Sequence, residues 1–331
     1  MLTLKRLWLD RDPVAREQWQ DLMRRSKLNS DERVDYTVGV YDGDTLAATG
    51  SFENNIIKCV SVCQTYQSEN LLTQVMMHLL ERLSEEGQRH YFVYTQPDKH
   101  LIFKSLGFKA IIESDDVLFM EFGQPDFADY LKMLDRHRSA ASASAIVMNA
   151  NPFTKGHQYL VNYAAKRSQH VYVFVLTEER SEFQAADRLA MVTLGTAHLP
   201  NVTVLPTNDY MVSSATFPSY FLRDDAQMAV ARIQASLDAR LFKERVAPIL
   251  KITERFVGDE PYSQVTNIYN ESMEAVFADE LTLTVIPRLA IDEEIISATK
   301  VRLAIKENDE VRLKRLLPET SYQYLKEHKL I

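Results

Sequence analysis

The sequence predicts an α/β protein of two domains, a mixed α/β domain followed by a doubly wound parallel sheet. Three observations predict it. A chain of 331 residues is about twice the usual length of one domain. A run of small residues, Arg138-Ser-Ala-Ala-Ser-Ala-Ser-Ala145, separates two stretches of different pattern. Beyond it, short apolar segments alternate with amphipathic ones, as strands and helices do around a parallel sheet. We expect domains over 1–136 and 146–331, joined by a linker over 137–145.

Composition limits the function. Hydrophobic residues make up 46% and charged residues 25%, values of a globular chain with a substantial core and not of a disordered or fibrous one. The 38 basic and 46 acidic side chains leave a net charge of −8, which argues against a broad nucleic-acid surface. Residues 1–135 carry 15 basic and 22 acidic side chains, a net of −7, so nearly all the acidity lies in the first part. Met1-Leu-Thr-Leu-Lys-Arg6 has no signal-peptide core and no apolar run of about 18 residues occurs, so neither export nor a membrane partner is expected. A cytoplasmic location is expected. Cys59 and Cys63, the two cysteines, would lie on one face of a strand about 13 Å apart, too far for a disulfide.

In the first domain, Val34 to Tyr41 alternates with period two, Asp42-Gly43-Asp44 supplies a turn and Thr45 to Phe52 returns, which predicts a hairpin. The apolar run 56–63 predicts a strand, the spacing of Leu71, Leu72, Val75, Met76, Leu79, Leu80 and Leu83 a helix, and Tyr91–Tyr94 another strand. A short helix over 100–106 is closed by Gly107, and Phe108 opens a further extended run. This ββ-β-α-β-α-β order resembles the GNAT acetyltransferase fold, and Tyr94 with Phe103-Lys-Ser-Leu-Gly-Phe108 resembles its closing motif. The resemblance implies a coenzyme A site built on a glycine-rich turn. Here the matching stretch, Gln67-Ser-Glu-Asn-Leu71, has no glycine, so a non-catalytic GNAT-like domain is expected.

In the second domain, Ile146–Met148, Val171–Leu176, Val202–Leu205, Arg255–Val257 and Leu281–Ile286 read as strands, with helices near 158–168, 185–198, 225–246, 262–278 and 298–306. Ligands of such sheets bind beyond the carboxyl ends of the strands. The first strand ends in Met148-Asn-Ala-Asn-Pro-Phe-Thr-Lys-Gly-His157 and runs directly into a helix. A glycine lets backbone approach a ligand, a helix start offers unpaired amides and positive dipole, and an imidazole donates to a phosphate oxygen. In Ile296-Ser-Ala-Thr-Lys-Val-Arg302, Ser297 and Thr299 cap a helix start and Arg302, one turn later, reaches phosphates. Lys155 and Lys300 supply further positive charge within these two stretches. After the second strand, Arg188 is a candidate phosphate ligand, and Asp259 a candidate ribose or adenine contact. Hydroxyls and aromatics in Ser213–Phe221, among them Thr216, Ser219 and Tyr220, suit a substrate-contacting loop. No Cys or His pair has zinc-site spacing, so no protein metal site is expected.

Thr154, Gly156 and His157 match the (H/T)xGH signature of the nucleotidylyltransferase superfamily, and Ile296–Arg302 matches its ISxTxxR signature. The resemblance implies a cytidylyltransferase-like ATP-binding domain. His157, Thr154 and Lys155 are its expected catalytic residues; Asn149, Asn151, Phe153, Gly156, Arg188, Asp259, Ser297, Thr299, Lys300 and Arg302 its expected ATP contacts. Together with Ala215–Tyr220, Val257–Ser263 and Val265–Asn270, these stretches resemble the citrate lyase ligase family over nearly the whole chain. That family implies an acid–thiol ligase: ATP with Mg²⁺ adenylates acetate, and the acetyl group passes to the phosphopantetheine-type thiol of the citrate lyase acyl-carrier subunit. A mononucleotide adenylyltransferase of the NAD or coenzyme A type shares both signatures and is the alternative enzyme. A nucleotide-sensing protein without turnover is the non-enzymatic one.

Overall fold

The computed structural model describes residues 2–66, 70–177, 181–211, 218, 220–222, 227–259, 264–291 and 294–331. It divides into two compact units, Met1–Asp129 with Phe217–Leu237, and Tyr130–Thr216 with Asp238–Ile331.

The first unit contains β1 (Leu2–Leu7), α1 (Pro13–Arg25), β2 (Tyr36–Asp42), β3 (Thr45–Glu53), β4 (Ile56–Val62), α2 (Leu71–Glu85), β5 (His90–Thr95), α3 (His100–Ser105), β6 (Lys109–Glu113), β7 (Leu118–Gly123) and the start of α4 (Phe127–Asp135). Its sheet runs β1-β2-β3-β4-β5-β7-β6. The expected hairpin is β2–β3, and the expected ββ-β-α-β-α-β order runs from β2 to β6. The edge strand β1, the strand β7 and helix α1 are additions. Helix α1 starts where the Asp12 carboxylate accepts from the amides of Val14 and Ala15, and it buries Trp19, Leu22 and Met23. Helix α2 buries Leu71, Val75, Met76, Leu79 and Leu83, each worth about 1.5–3 kcal/mol. Gly50 lets it close on β3, since a Cβ there would stand 2.5 Å from Val75 Cγ1. Cys59 interrupts the strand alternation with φ 55°, and both cysteines are free thiols.

β4 and β5 are parallel neighbours paired only at Ile56–Ile57 with Phe92–Val93. Past those residues the Tyr94 carbonyl accepts from the Tyr220 hydroxyl at 3.0 Å. The Asn29 amide donates to the Tyr220 carbonyl at 2.7 Å, and Gln96 Nε2 donates to that of Phe221 at 3.4 Å. Tyr220, Phe221 and Leu222 are buried.

The second unit contains β8 (Ala143–Met148), α5 (Lys155–Ala165), β9 (His170–Val175), α6 (Ala185–Thr196) and β10 (Val202–Pro206). Then come α7 (Gln227–Leu241), which starts in the first unit, α8 (Ala247–Leu250), β11 (Ile252–Gly258), α9 (Gln264–Phe277) and β12 (Thr282–Ile286). The short hairpin β13 (Ala290–Ile291) and β14 (Glu294–Ile295) precedes α10 (Ala298–Lys306), α11 (Glu310–Leu316) and α12 (Glu319–Glu327). The five expected strands form one sheet, β10-β9-β8-β11-β12, parallel throughout. Its core joins Ile146, Met148, Val173 and Val175 to Val161, Met191, Val301 and Leu316. The chain reverses its winding between β8 and β11, which pair only near their starts, from Ala143–Ala145 to Ile252–Arg255.

The expected linker is corrected here. Ala143, Ser144 and Ala145 are buried residues of the central strand, and the Ala143 amide donates to Lys251 O at 3.0 Å. Their side chains are small because the strand is packed, with Ser144 Oγ donating to Ser168 at 2.7 Å. The units divide at Asp129 and Tyr130, within α4.

Candidate functional site

The turn after β8 is held by unusual local chemistry. Ala150 has φ 51°, a left-handed conformation costly for any residue with a Cβ and common at functional sites. Thr154 then caps α5. Its Oγ1 accepts from the His157 amide at 3.3 Å, and the Thr154 amide donates to His157 Nδ1 at 3.1 Å. This is a reciprocal capping box with histidine in the place usually held by Glu or Gln. An imidazole nitrogen that accepts from an amide carries no proton, so the ring proton sits on Nε2. Burial, helped by the Arg288 charge, pushes the His157 pKa down to about 4. His157 is therefore a neutral Nε2–H donor at the positive end of a helix.

Phe153 lies behind the imidazole. Its ring stacks on His157 with centroids 5.8 Å apart and planes 15° apart, and it is completely buried. A Cβ on Gly195 would stand 2.4 Å from Phe153 Cε1, so α6 presses on this ring. The ATP contact expected of Phe153 is replaced by support of His157.

The second signature meets the first. Ser297 caps α10, accepting from the Lys300 amide at 3.3 Å. A Cβ on Gly156 would lie 3.4 Å from the Ile296 carbonyl oxygen, so the starts of α5 and α10 adjoin. Arg302 donates to the Asn151 carbonyl at 2.7 Å and to Thr299 Oγ1 at 3.2 Å, while Glu182 lies 3.6 Å from its Nε. Helix starts and a guanidinium at a strand end are groups whose charge and donors favour anions.

The other expected residues have more structural positions. Arg188 is fully buried. It donates to the carbonyls of Phe183, Asn149 and Leu176 at 3.0, 3.0 and 2.5 Å, and to Asn149 Oδ1 at 2.6 Å. Its expected phosphate contact is thus corrected to a tie between the ends of β8 and β9. Asn149 Oδ1 also accepts from Ser181 at 3.2 Å, and Asn151 Oδ1 accepts from the Phe183 amide at 3.1 Å, so both hold the segment after β9. Lys155 Nζ donates to Lys314 O at 2.9 Å, and Lys300 Nζ donates to Ile295 O at 2.8 Å with Glu294 at 3.4 Å. Thr216 and Ser219 lie outside the described residues. Tyr220 is an anchor of the first unit, which replaces the substrate contact expected of it. Residues 67–69 of the glycine-free turn and 260–263 after Asp259 also lie outside the described residues.

A residue not singled out in the sequence lies within electrostatic reach of His157. Arg288 follows β12, and its Nε donates to the Asp259 carbonyl at 2.7 Å. The Asp259 amide in turn donates to Ile286 O at 2.8 Å. The one available signal was an arginine just past an apolar strand, at the end of a sheet where ligands bind.

Among the described residues, no group of three or more His, Cys, Asp or Glu side chains could hold a metal ion, and no helix is long and apolar enough to cross a membrane.

The family described as citrate lyase ligase C-terminal domain matches residues 143–325. A citrate (pro-3S)-lyase ligase from Escherichia coli is 33% identical over 92% of this chain and 88% of its own. Another, from Haemophilus influenzae, is 32% identical over 92% of this chain and 93% of its own. A solved structure of Thermotoga maritima TmcAL bound with alpha-thio ATP is 13% identical and covers 56% of this chain and 55% of its own, with a TM-score of 0.36.

Proposed function

The chain belongs to the citrate lyase ligase family, and from that premise we propose how its residues carry out an ATP-dependent ligation. It is an acid–thiol ligase that acetylates citrate lyase. ATP enters as its Mg²⁺ complex and lies across the starts of α5 and α10. An acetate oxygen attacks the α-phosphorus, the bond to the bridging oxygen of the β-phosphate breaks, and pyrophosphate leaves. The deprotonated thiol of the carrier's prosthetic group then attacks the acetyl carbon, and AMP leaves with the electrons of the broken C–O bond.

The observation that carries this reading is the fixed tautomer of His157. With Nδ1 committed to the Thr154 amide, Nε2–H donates to a non-bridging oxygen of the α-phosphate and gains strength as charge accumulates there. A donor so placed is worth roughly 3–4 kcal/mol in the transition state. A cationic histidine would add charge but lose the cap, and a base is not needed by a carboxylate nucleophile. Arg302, already at the Asn151 carbonyl, exchanges Glu182 for the β- and γ-phosphates. No cysteine lies in either signature, so the acetyl group goes from adenylate to carrier without an enzyme thioester.

Pyrophosphate release with Mg·ATP across short-chain acids, with and without deacetylated citrate lyase, tests the reading. We expect release that requires acetate and turns over only when the carrier thiol is present. Release driven instead by nicotinamide mononucleotide or phosphopantetheine would overturn it in favour of an adenylyltransferase.

A further inference from the structure

We infer that Arg288 is a second phosphate-chain ligand of this enzyme, holding the triphosphate of ATP and the pyrophosphate that leaves it. The inference rests on the ATP reading above and adds a residue to that site from outside both signatures.

A chain of contacts places it. Gly258 and Ile286 are register partners at the ends of β11 and β12. Just beyond them the Asp259 amide binds Ile286 O and the Asp259 carbonyl binds Arg288 Nε, so the guanidinium stem is fixed to the strand ends. The next residue, Leu289, accepts from the Ile296 amide at 3.1 Å. Ile296 precedes the Ser297 cap, and its carbonyl faces Gly156. Arg288 thus stands where β12 hands the chain to the start of α10, beside the start of α5. Its charge is felt at His157; partial burial lowers its own pKa, while the Asp259 charge acts to raise it. A half-buried cation beside two helix starts is a suitable partner for a multivalent anion.

The chemistry has room for it. Pyrophosphate carries several negative charges, and Arg302 is shared with Glu182. The amines of Lys155 and Lys300 are directed to carbonyls of Lys314 and Ile295. Arg288 lies beside the second signature, which also carries Arg302, and this favours the phosphate chain over the acetate carboxylate.

The test compares the full-length wild type with Arg288→Met and Arg288→Lys, measuring binding of ATP, tripolyphosphate and AMP by calorimetry and the KM values for ATP and acetate. For Arg288→Met we expect affinity for ATP and tripolyphosphate to fall roughly tenfold or more, with AMP affinity and the acetate KM unchanged. Arg288→Lys, which keeps charge without the Nε bond, should fall between and decide the matter if the methionine variant does not fold. Equal losses for ATP and AMP, a rise confined to the acetate KM, or wild-type affinity in the lysine and methionine variants alike would each overturn the inference. Failure of wild type to bind ATP would instead overturn the ATP reading itself.

Discussion

Both sheets contain a pair of parallel neighbours that join near their starts and then part. In the first sheet these are β4 and β5, paired at two positions; in the second they are β8 and β11, paired over Ala143–Ala145. Strands that part leave backbone groups without ladder partners, and those groups need water, side chains or a ligand. The first unit meets this need from its own chain: Tyr220 binds the Tyr94 carbonyl, and Tyr220, Phe221 and Leu222 are buried. In the second unit the turn after β8 leads to a neutral imidazole at a helix start, with a second helix start beside it and Arg302 at the Asn151 carbonyl. The same parting of strands is thus lined by buried aromatics in one place and stands beside helix starts and polar groups in the other. What decides is the side chains delivered to the gap.

Emptying the filled gap should have the largest effect. Tyr220→Ala removes a buried aromatic ring and its hydrogen bond, and we expect a loss of about 3–5 kcal/mol, read from denaturant unfolding. If stability is unchanged, the segment merely lies over the first sheet and does not fill the gap between β4 and β5. In the polar gap, His157→Gln keeps an acceptor for the Thr154 amide, since Gln is a natural third residue of a capping box. Turnover should drop roughly a hundredfold while the melting temperature holds; retained turnover would show that the imidazole is only a cap. Next comes Gly195→Ala, whose methyl group would meet the Phe153 ring. Overpacking of this kind costs about 1–3 kcal/mol, and because Phe153 backs His157, thermal melts and turnover should fall together.

A further test concerns protons. The His157 pKa lies below that of an unfolded histidine, near 4 against 6.5, so the unfolded chain binds this proton more readily. Its contribution to stability is complete above about pH 6.5 and is lost as the pH falls through about 4. An NMR titration of the imidazole should show no transition between pH 6 and 7. A midpoint there would mean a solvated ring and an ordinary surface histidine.

The signatures around Thr154, His157, Ser297 and Arg302 were legible because capping is local chemistry, written within three or four residues. The parallel sheet was legible because buried strands carry continuous apolar runs. Arg188 was misread for the opposite reason. An arginine in the first turn of a helix looks solvated or ligand-facing, and the carbonyls that enclose it come from separate strand ends. Arg288 was passed over because its surroundings are assembled from Asp259, Leu289 and the start of α10. The Ala and Ser run over 138–145 read as a linker because small side chains are common both in flexible chain and in tightly packed strands. Only the position of Ala143–Ala145 beside β9 and β11 separates the two.

The path of the chain has a consequence for the order of synthesis. The first unit takes in Phe217–Leu237, so its sheet cannot gain Tyr220 and Phe221 until β8, β9 and β10 have been made. A ribosome emits its product from the N-terminus and domains commonly fold in that order. Here the leading unit waits, its gap between β4 and β5 unfilled, through the production of three strands of the unit that follows.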